Sequence, residues 1–233
     1  MFKRPVSLFL ALTLIASPSF AFQSTTLQQR IADLKESVAA NRAKLQAYQW
    51  TETTTTLLKG EVKKTEQFLC QYGPDGRVQK TPQGPPPAPP QPPGGLRGKI
   101  VAKKVDEMKD YGERLKSLIG EYVPPSRDNI QNVFQAGNAT TSPTPGGIAS
   151  ISLNNYYKSG DKVTFDFDPS SKLIRSFTVN TYLDNPKSDI VIMTANFATL
   201  PDGANHVAST DLQAQSKNIE IKTENTDYRT LAK

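Results

Sequence analysis

The side chains that could do chemistry in this sequence are its carboxylates, one cysteine and one histidine. Paired carboxylates about 5 to 9.5 Å apart can hydrolyse a glycosidic bond, and aspartates at turns can offer oxygens to a Ca²⁺ ion. Acidic residues at turns and on solvated strand faces also occur without either role, and no EF-hand spacing is present. We therefore predict neither catalytic residues nor a metal site. The carboxylates in question are Asp166 and Asp168, which share a face of "VTFDFD", and the turn residues Asp161, Asp184, Asp189 and Asp202.

Cys70 and His206 are each the only residue of their type. A thiol becomes reactive only beside a group that lowers its pKa, and no histidine is close to Cys70 in sequence. We interpret Cys70 as a small apolar strand residue, the alternatives being an intermolecular disulfide or a reactive thiol. A single histidine with no second ligand nearby favours a structural role over a metal ligand or a titrating switch. Since no Gly-rich phosphate loop is present either, the sequence predicts a protein without catalysis and without a cofactor.

The N-terminus has the pattern of a cleaved secretory signal. Lys3 and Arg4 precede the apolar run 6–15, and "SFA" ending at Ala21 has the small-x-small pattern of a cleavage site. The apolar run is too short to span a bilayer as a helix, which takes about 20 residues. We predict a signal peptide over residues 1–21, no transmembrane segment, and a periplasmic or secreted protein.

The rest of the chain, 22–233, is long enough for one domain with a real core. Its charge is uneven, because residues 22–135 hold 17 Lys and Arg against 12 Asp and Glu. Such an excess suits an anionic partner such as lipid head groups, although it also occurs on ordinary solvated surfaces. No nucleic-acid-binding motif accompanies the charge, and an exported protein is not expected to bind nucleic acid.

The stretch "YQWTETTTTLLKGEVKK" predicts a β-hairpin. Tyr48, Trp50 and Leu58 have one parity and three threonines the other, as in a half-buried strand. A three-residue loop over 58–60 would place Trp50 opposite Phe68, with positive φ at Gly60. The "YGPDGRV" segment supplies the next turn, with a positive φ at Gly76. The predicted strands are 47–58, 61–72 and 77–81.

Helices are predicted on both sides of this meander. The first covers 25–46, the second 99–120, and a short third begins at Ser126 and ends at Gly137. An apolar stripe at helical spacing is far more often core than a ligand site, so we expect the stripe of the second helix to be core. The residues of its stripe are Val101, Val105, Met108, Leu115 and Ile119.

Two loops and a second meander complete the chain. The proline-rich segment 82–95 predicts an exposed, extended loop that serves as a spacer or as a docking site for a proline-recognition module. Residues 137–147, "GNATTSPTPGG", predict a linker. Five or more antiparallel strands are then expected, starting at "VTFDFD".

This order of helix, meander, helical segment and meander resembles that of the outer-membrane lipoprotein carrier group. The resemblance implies an α+β fold in which a curved antiparallel sheet forms a half barrel, packed against two main helices. It also implies that acyl chains or lipoproteins bind in the apolar space between sheet and helices. The strings "YGPDG", "NTYLDNPKSD" and "FATLPDGAN" look like those of uncharacterised exported bacterial proteins.

We predict an exported binding or carrier protein for an apolar or lipid-like ligand at the cell envelope. The basic first half suits an acyl chain with an anionic head. The alternative is a structural or protein-interaction module that binds an envelope partner through sheet edges and the proline-rich loop, and a carboxylate hydrolase is the third class. Candidate ligand-binding residues, each of which could instead be plain core, are Tyr48, Trp50, Phe68, Tyr72, Phe165 and Phe177.

Overall fold

The computed structural model describes residues 27–84 and 95–231. The predicted signal peptide, 1–21, and most of the predicted proline-rich loop lie outside the described residues. Within the described ranges no helix has both the length and the apolarity that crossing a membrane requires.

The helices and strands follow the predicted order. Leucine, alanine and charged residues form the helices, and the alternating β-branched and aromatic segments form the strands. The helices are α1 (Leu27–Leu45), α2 (Gly95–Gly120) and α3 (Arg127–Gln135). The strands are β1 (Tyr48–Leu58), β2 (Glu61–Tyr72), β3 (Val78–Gln83), β4 (Ala139–Pro143), β5 (Ala149–Asn154), β6 (Lys162–Asp168), β7 (Leu173–Tyr182), β8 (Ile190–Thr199), β9 (Asn205–Ala214) and β10 (Ile219–Thr230).

All ten strands belong to one open, curled antiparallel sheet, with the order β3-β2-β1-β10-β9-β8-β7-β6-β5-β4. Neighbouring strands are neighbours in sequence, apart from β1, which pairs with β10. That single long-range pairing joins the two meanders. The predicted α+β half-barrel with helices on one face is therefore confirmed.

The first hairpin has the predicted faces and a different register. Its loop contains two residues, Lys59 and Gly60, and Trp50 lies opposite Cys70, not Phe68. A bulge between Thr56 and Leu57 changes the register, so Trp50 and Phe68 still share a face. The prediction of a three-residue loop was wrong because a two-residue turn combined with a bulge satisfies the same burial pattern. The positive φ predicted for Gly60 is confirmed at 80°, and that for Gly76 at 70°.

The segment predicted as a linker, 137–147, contains the edge strand β4. Thr141 lies opposite Ile151, so the segment extends the sheet. Its polar composition suggested a loop, but an edge strand that is mostly exposed needs few apolar residues. The next strand, β5, had a clear signal in the alternation of Ala149, Ile151 and Leu153, all of which are buried.

A closed core lies on the half of the sheet formed by β5 to β8. The C-terminal half of α2 packs there through Leu115 and Leu118, and α3 packs through Val133. Ser126 caps α3 by accepting a hydrogen bond from the backbone N–H of Asn129 at 3.3 Å, as expected for a helix that starts at serine. This half of the molecule holds most of the buried apolar side chains.

The apolar stripe of α2 is divided between two environments. Leu115 is 3 % exposed, whereas Val101 and Val105 are 37 % and 42 % exposed. The expectation that the whole stripe packs as core was therefore wrong. The sheet is longer than the closed core, and the N-terminal half of α2 lies over the other half of the sheet without filling the space between them.

The C-terminal end of α1 is attached to the loops at one end of the sheet. Asn41 accepts a hydrogen bond from the backbone N–H of Asn205 at 2.6 Å and donates one to the carbonyl oxygen of the same residue. Arg42 donates to the carbonyl oxygen of Gly76 at 3.0 Å. These bonds hold α1 beside β9 and the β2–β3 turn.

Candidate ligand-binding cavity

A cavity of about 1460 Å³ lies between α2 and the half of the sheet formed by β1, β2, β9 and β10. Successive side chains of a strand point to opposite faces, so one parity of β1 forms part of the floor. Apolar side chains make up most of the wall. The contribution of β1 with this parity is Trp50, Glu52, Thr54, Thr56 and Leu58.

The floor changes from apolar to polar along the strands. Leu58 pairs with Ile219, which begins an apolar end that also contains Ile221 and Leu212. Thr54 pairs with Thr223, and the two hydroxyl oxygens are 3.3 Å apart. Further along β1, Glu52 pairs with Asn225, so one end of the cavity is apolar and the other is polar.

The wall opposite the floor is the apolar stripe of α2. Val101 and Val105 line the cavity from the part of the helix that has no closed core beneath it, and Met108, which also lines the cavity, packs against the core. Leu115 and Ile119 continue the same wall to the point where α2 meets the core. Exposed valines that face an apolar floor across an open space are what an apolar ligand would cover.

Aromatic rings surround the polar groups at the end of the cavity that contains Glu52 and Asn225. Trp50 is stacked on Tyr228, with ring centroids 5.5 Å apart, and lies 5.5 Å from the ring of Tyr72. The ring of His206 is 4.1 Å from that of Tyr228, and the indole N–H of Trp50 donates to Asn225 Oδ1 at 3.1 Å. Burial raises the pKa of Tyr228 above its ordinary value.

One carboxylate, that of Glu52, lies on the floor of the cavity, and the residue is 8 % exposed. Lys80 Nζ lies 2.5 Å from Glu52 Oε1, and the Thr54 hydroxyl lies 3.4 Å from the same oxygen. A buried carboxylate is costly unless it is paired and hydrogen-bonded, and both conditions are met here. The charges of Glu52 and Lys80 therefore compensate each other at this side of the cavity.

Lysines surround the cavity. Lys63 and Lys64 belong to β2, Lys80 belongs to β3, and the remaining three belong to α2. Their hydrocarbon stems can lie along apolar surface while the ammonium groups stay in water. The lysines of α2 are Lys104, Lys109 and Lys116.

The structure separates the predicted ligand-binding residues into three groups. Trp50 and Tyr72 line the cavity. Tyr48 contacts Tyr228 edge-on at 6.3 Å, beside the cavity, and Phe68 is half-buried on the floor side of β2, where the Lys80 ammonium lies 5.9 Å from its ring. The remaining two, Phe165 and Phe177, pack 4.9 Å apart in the closed core.

The side chains considered for catalysis have structural partners. Asp161 is 2 % exposed and accepts hydrogen bonds from Tyr122 at 2.6 Å and from three consecutive backbone N–H groups. Asp166 and Asp168 lie on the sheet face opposite the core and accept hydrogen bonds from serines. In residues 27–84 and 95–231 no three His, Cys, Asp or Glu side chains are grouped as metal ligands would be.

Asp189 and Cys70 are also held in place by their surroundings. Burial opposes the charge of Asp189, but hydrogen bonds from Ser216 and Tyr111 outweigh it and lower the pKa of this carboxyl. Cys70 is fully buried, and burial raises the pKa of its thiol to about 11. A thiol in this environment stays protonated, as expected for a small apolar strand residue.

Sequence reasoning did not identify Glu52, Tyr228 or the valines of α2 as cavity residues. Glu52 had a usable signal, because it has the parity of Trp50 on β1. Tyr228 had none, since its parity is opposite to that of Ile219 and Asn225, and it faces the cavity only because of the irregularity in the β1–β10 pairing between Gln49 and Thr51. The valines had none, since an apolar helical stripe looks the same over a core and over a cavity.

No protein-family model matches this sequence, and no curated protein is significantly similar to it. Three solved structures are similar in fold. A DUF1329 family protein from Desulfovibrio piger has a TM-score of 0.40 at 10% identity and covers 86% of this chain and 92% of its own. A LolA superfamily protein from Nitrosomonas europaea has a TM-score of 0.40 at 9% identity, covering 87% and 94%.

The third structure is a putative outer membrane lipoprotein-sorting protein domain from Vibrio parahaemolyticus. It has a TM-score of 0.35 at 11% identity and covers 87% of this chain and 94% of its own.

Proposed function

We propose that this protein is a non-catalytic binding or carrier protein for an apolar, lipid-like ligand at the cell envelope, and that the cavity beneath α2 is its binding site. The observation that carries the proposal is the pair of apolar surfaces that face each other across a cavity of about 1460 Å³. Pockets for drug-sized molecules have volumes of roughly 300 to 1,000 Å³. The cavity is larger, which suits a ligand with a long apolar part.

The length of the cavity supports the same ligand class. It follows β1 from Trp50 to Leu58, which at about 3.4 Å per residue is roughly 27 Å. The hydrocarbon core of a bilayer is about 30 Å thick, so one leaflet contributes about 15 Å. An acyl chain therefore fits along the floor, with room for its head at one end.

A non-catalytic role agrees with the partners of the reactive side chains. The aspartates considered for hydrolysis bond to hydroxyl groups and to the backbone, and the thiol of Cys70 is buried with a raised pKa. Export to the periplasm or beyond is inferred from the N-terminal sequence alone, with a cut after Ala21.

Lipid that co-purifies with the protein would be the direct test. We expect native mass spectrometry of protein from its own envelope to show a bound lipid, and titration with an acyl-chain ligand to saturate the fluorescence change of Trp50. Trp50 is the only tryptophan and lines the cavity. A protein that carries no lipid and gives no saturable titration would refute the proposal.

The alternative is an interaction module of the envelope. The observation in its favour is β3, which ends the sheet and is exposed at every residue, so its outer edge offers backbone groups to another strand. The predicted proline-rich loop follows directly. Replacing 85–94 by a Gly/Ser linker should abolish capture of a specific envelope protein under this alternative, and should leave acyl-chain titration unchanged under the carrier proposal.

A further inference from the structure

The charged residues that α2 presents to the cavity are all basic. Lys104, Lys109 and Lys116 line the cavity beside the apolar stripe. The four acidic residues of the same stretch do not line it, and two of them face a separate polar depression on the other side of the helix. Other basic residues of α2, among them Lys103 and Arg114, lie outside the cavity, so the absence of acidic residues applies to the cavity wall alone. The acidic residues are Asp106, Glu107, Asp110 and Glu113.

The lysines of α2 differ from those of the sheet in their partners. On the sheet side, Lys63 lies 2.5 Å from Glu61 and Lys64 lies 2.7 Å from Glu66, while Lys80 is paired with Glu52. Among the residues that the structure describes, the three cavity lysines of α2 form no ion pair. The positive charge that is left without compensation is therefore at the helix side of the cavity.

We infer that the ligand is an amphiphile with a negatively charged head, a carboxylate or a phosphate, and that Lys104, Lys109 and Lys116, spaced along the wall, together supply the positive potential that attracts the head. The inference rests on the proposed function, because it places the apolar part of the ligand in the cavity. All three lysines are exposed, so each attracts an anionic head with the modest strength of a charge in contact with water. A charge-assisted hydrogen bond from an ammonium group adds to the attraction.

Three ligands with the same oleoyl chain separate this inference from the proposed function. Oleate carries a carboxylate, oleoyl lysophosphatidylglycerol a phosphate, and monoolein no charge, and each is titrated through Trp50. We expect both anionic ligands to bind about tenfold more tightly than monoolein, because each of the three exposed lysines adds a small attraction. This preference for the anionic ligands should decrease when NaCl is raised from 0.05 to 0.5 M, because salt screens the attraction between exposed charges.

The matched variants are two triple neutralisations. K104Q/K109Q/K116Q removes the cavity lysines and should weaken oleate binding about tenfold while leaving monoolein unchanged. K99Q/K103Q/K187Q removes the same net charge from exposed lysines that do not line the cavity, and should leave both ligands unchanged. If only oleate binds more tightly than monoolein, the ligand is a fatty acid. If only oleoyl lysophosphatidylglycerol does, the ligand is a phospholipid.

Four outcomes would overturn the inference. Equal affinity for all three ligands would refute head recognition while preserving an apolar carrier. Equal loss of oleate affinity in the two triple variants would mean that only net charge matters. Oleate affinity unchanged in K104Q/K109Q/K116Q, with weaker sedimentation on anionic vesicles, would assign the lysines to a membrane surface. Failure of all three ligands to bind would refute the proposed function itself.

Discussion

The turn between β1 and β2 depends on two residues in left-handed backbone conformation. Lys59 has φ 54° and Gly60 has φ 80°, the geometry of a two-residue hairpin turn that matches the twist of the strands. A Cβ at Gly60 would meet no atom within 4 Å, so a substitution there is penalised by backbone strain alone. The turn, and with it the pairing register of β1 and β2, therefore depends on how readily residues 59 and 60 adopt a positive φ.

Substitutions at the turn should act in opposite directions. Gly60→Val should lower the free energy of unfolding by about 1 kcal/mol or more, because a β-branched residue fits positive φ poorly. Lys59→Asn should raise it slightly, since Asn-Gly is a preferred pair for this turn. Urea unfolding measures both, and an undisturbed G60V protein would contradict the turn geometry.

At the end of β6, one carboxylate should make stability depend on pH. Hydrogen bonds from Ser170, with a further one from Arg175 at 2.8 Å, hold the pKa of Asp168 well below its usual range. A carboxyl whose pKa is lower in the folded than in the unfolded state stabilises the fold above about pH 4. That contribution is lost as the pH falls from about 4 towards the folded-state pKa.

Asp168→Asn removes the charge and keeps the shape of the side chain. We expect a lower urea midpoint than wild type at pH 7, and a difference that shrinks as the pH falls from 4 to 2, where the wild-type carboxyl takes up a proton. Midpoints at pH 7, 5, 3 and 2 test this. A difference that stays constant with pH would mean that geometry, not charge, explains the effect.

Among the elements, α2 has two functions along one stripe. Its C-terminal half fills the closed core, and its N-terminal half forms a wall of the cavity. Stability and binding should therefore separate within a single helix. Leu115 and Val105 are suitable probes, because both belong to the stripe and differ mainly in exposure.

Leu115→Ala should lower the free energy of unfolding by about 2 to 5 kcal/mol, because a buried leucine leaves a cavity behind. Val105→Ser should change stability little, as the side chain is already 42 % exposed, and should weaken acyl-chain binding several-fold through lost apolar contact. Chemical unfolding and Trp50 titration on both variants provide the test. Comparable loss of stability in both would mean that the N-terminal half of α2 is ordinary core.

The elements were largely predictable from the sequence, and the cavity was not. Parity and helical spacing are local, so they located β1, β2 and the three helices to within a few residues. Three features depend on how separate segments meet, and these are the bulge beside Thr56, the pairing of β1 with β10 and the space beneath Val105. Phe165 and Trp50 have the same kind of local pattern, yet one is in the closed core and the other lines the cavity.

At the scale of the whole molecule, the fold is divided into a closed half and an open half. The closed half, with α2 and α3 packed on β5 to β8, holds the densest apolar packing. The open half, around β1, β9 and β10, encloses the cavity. The pairing of β8 with β9 connects them, so the closed half can stabilise a site that has little packing of its own.

This division predicts where a ligand should protect the protein. A ligand that binds only the native state stabilises it by about 2.7 kcal/mol at 100 times its Kd, which slows every opening that destroys the site by about 100-fold. With oleate at that concentration, amide hydrogen exchange should slow by this factor over 101–109 of α2. The edge strand β4 should be unaffected, because it can fray while the cavity stays intact. Protection of β4 instead of 101–109 would place the ligand outside the cavity.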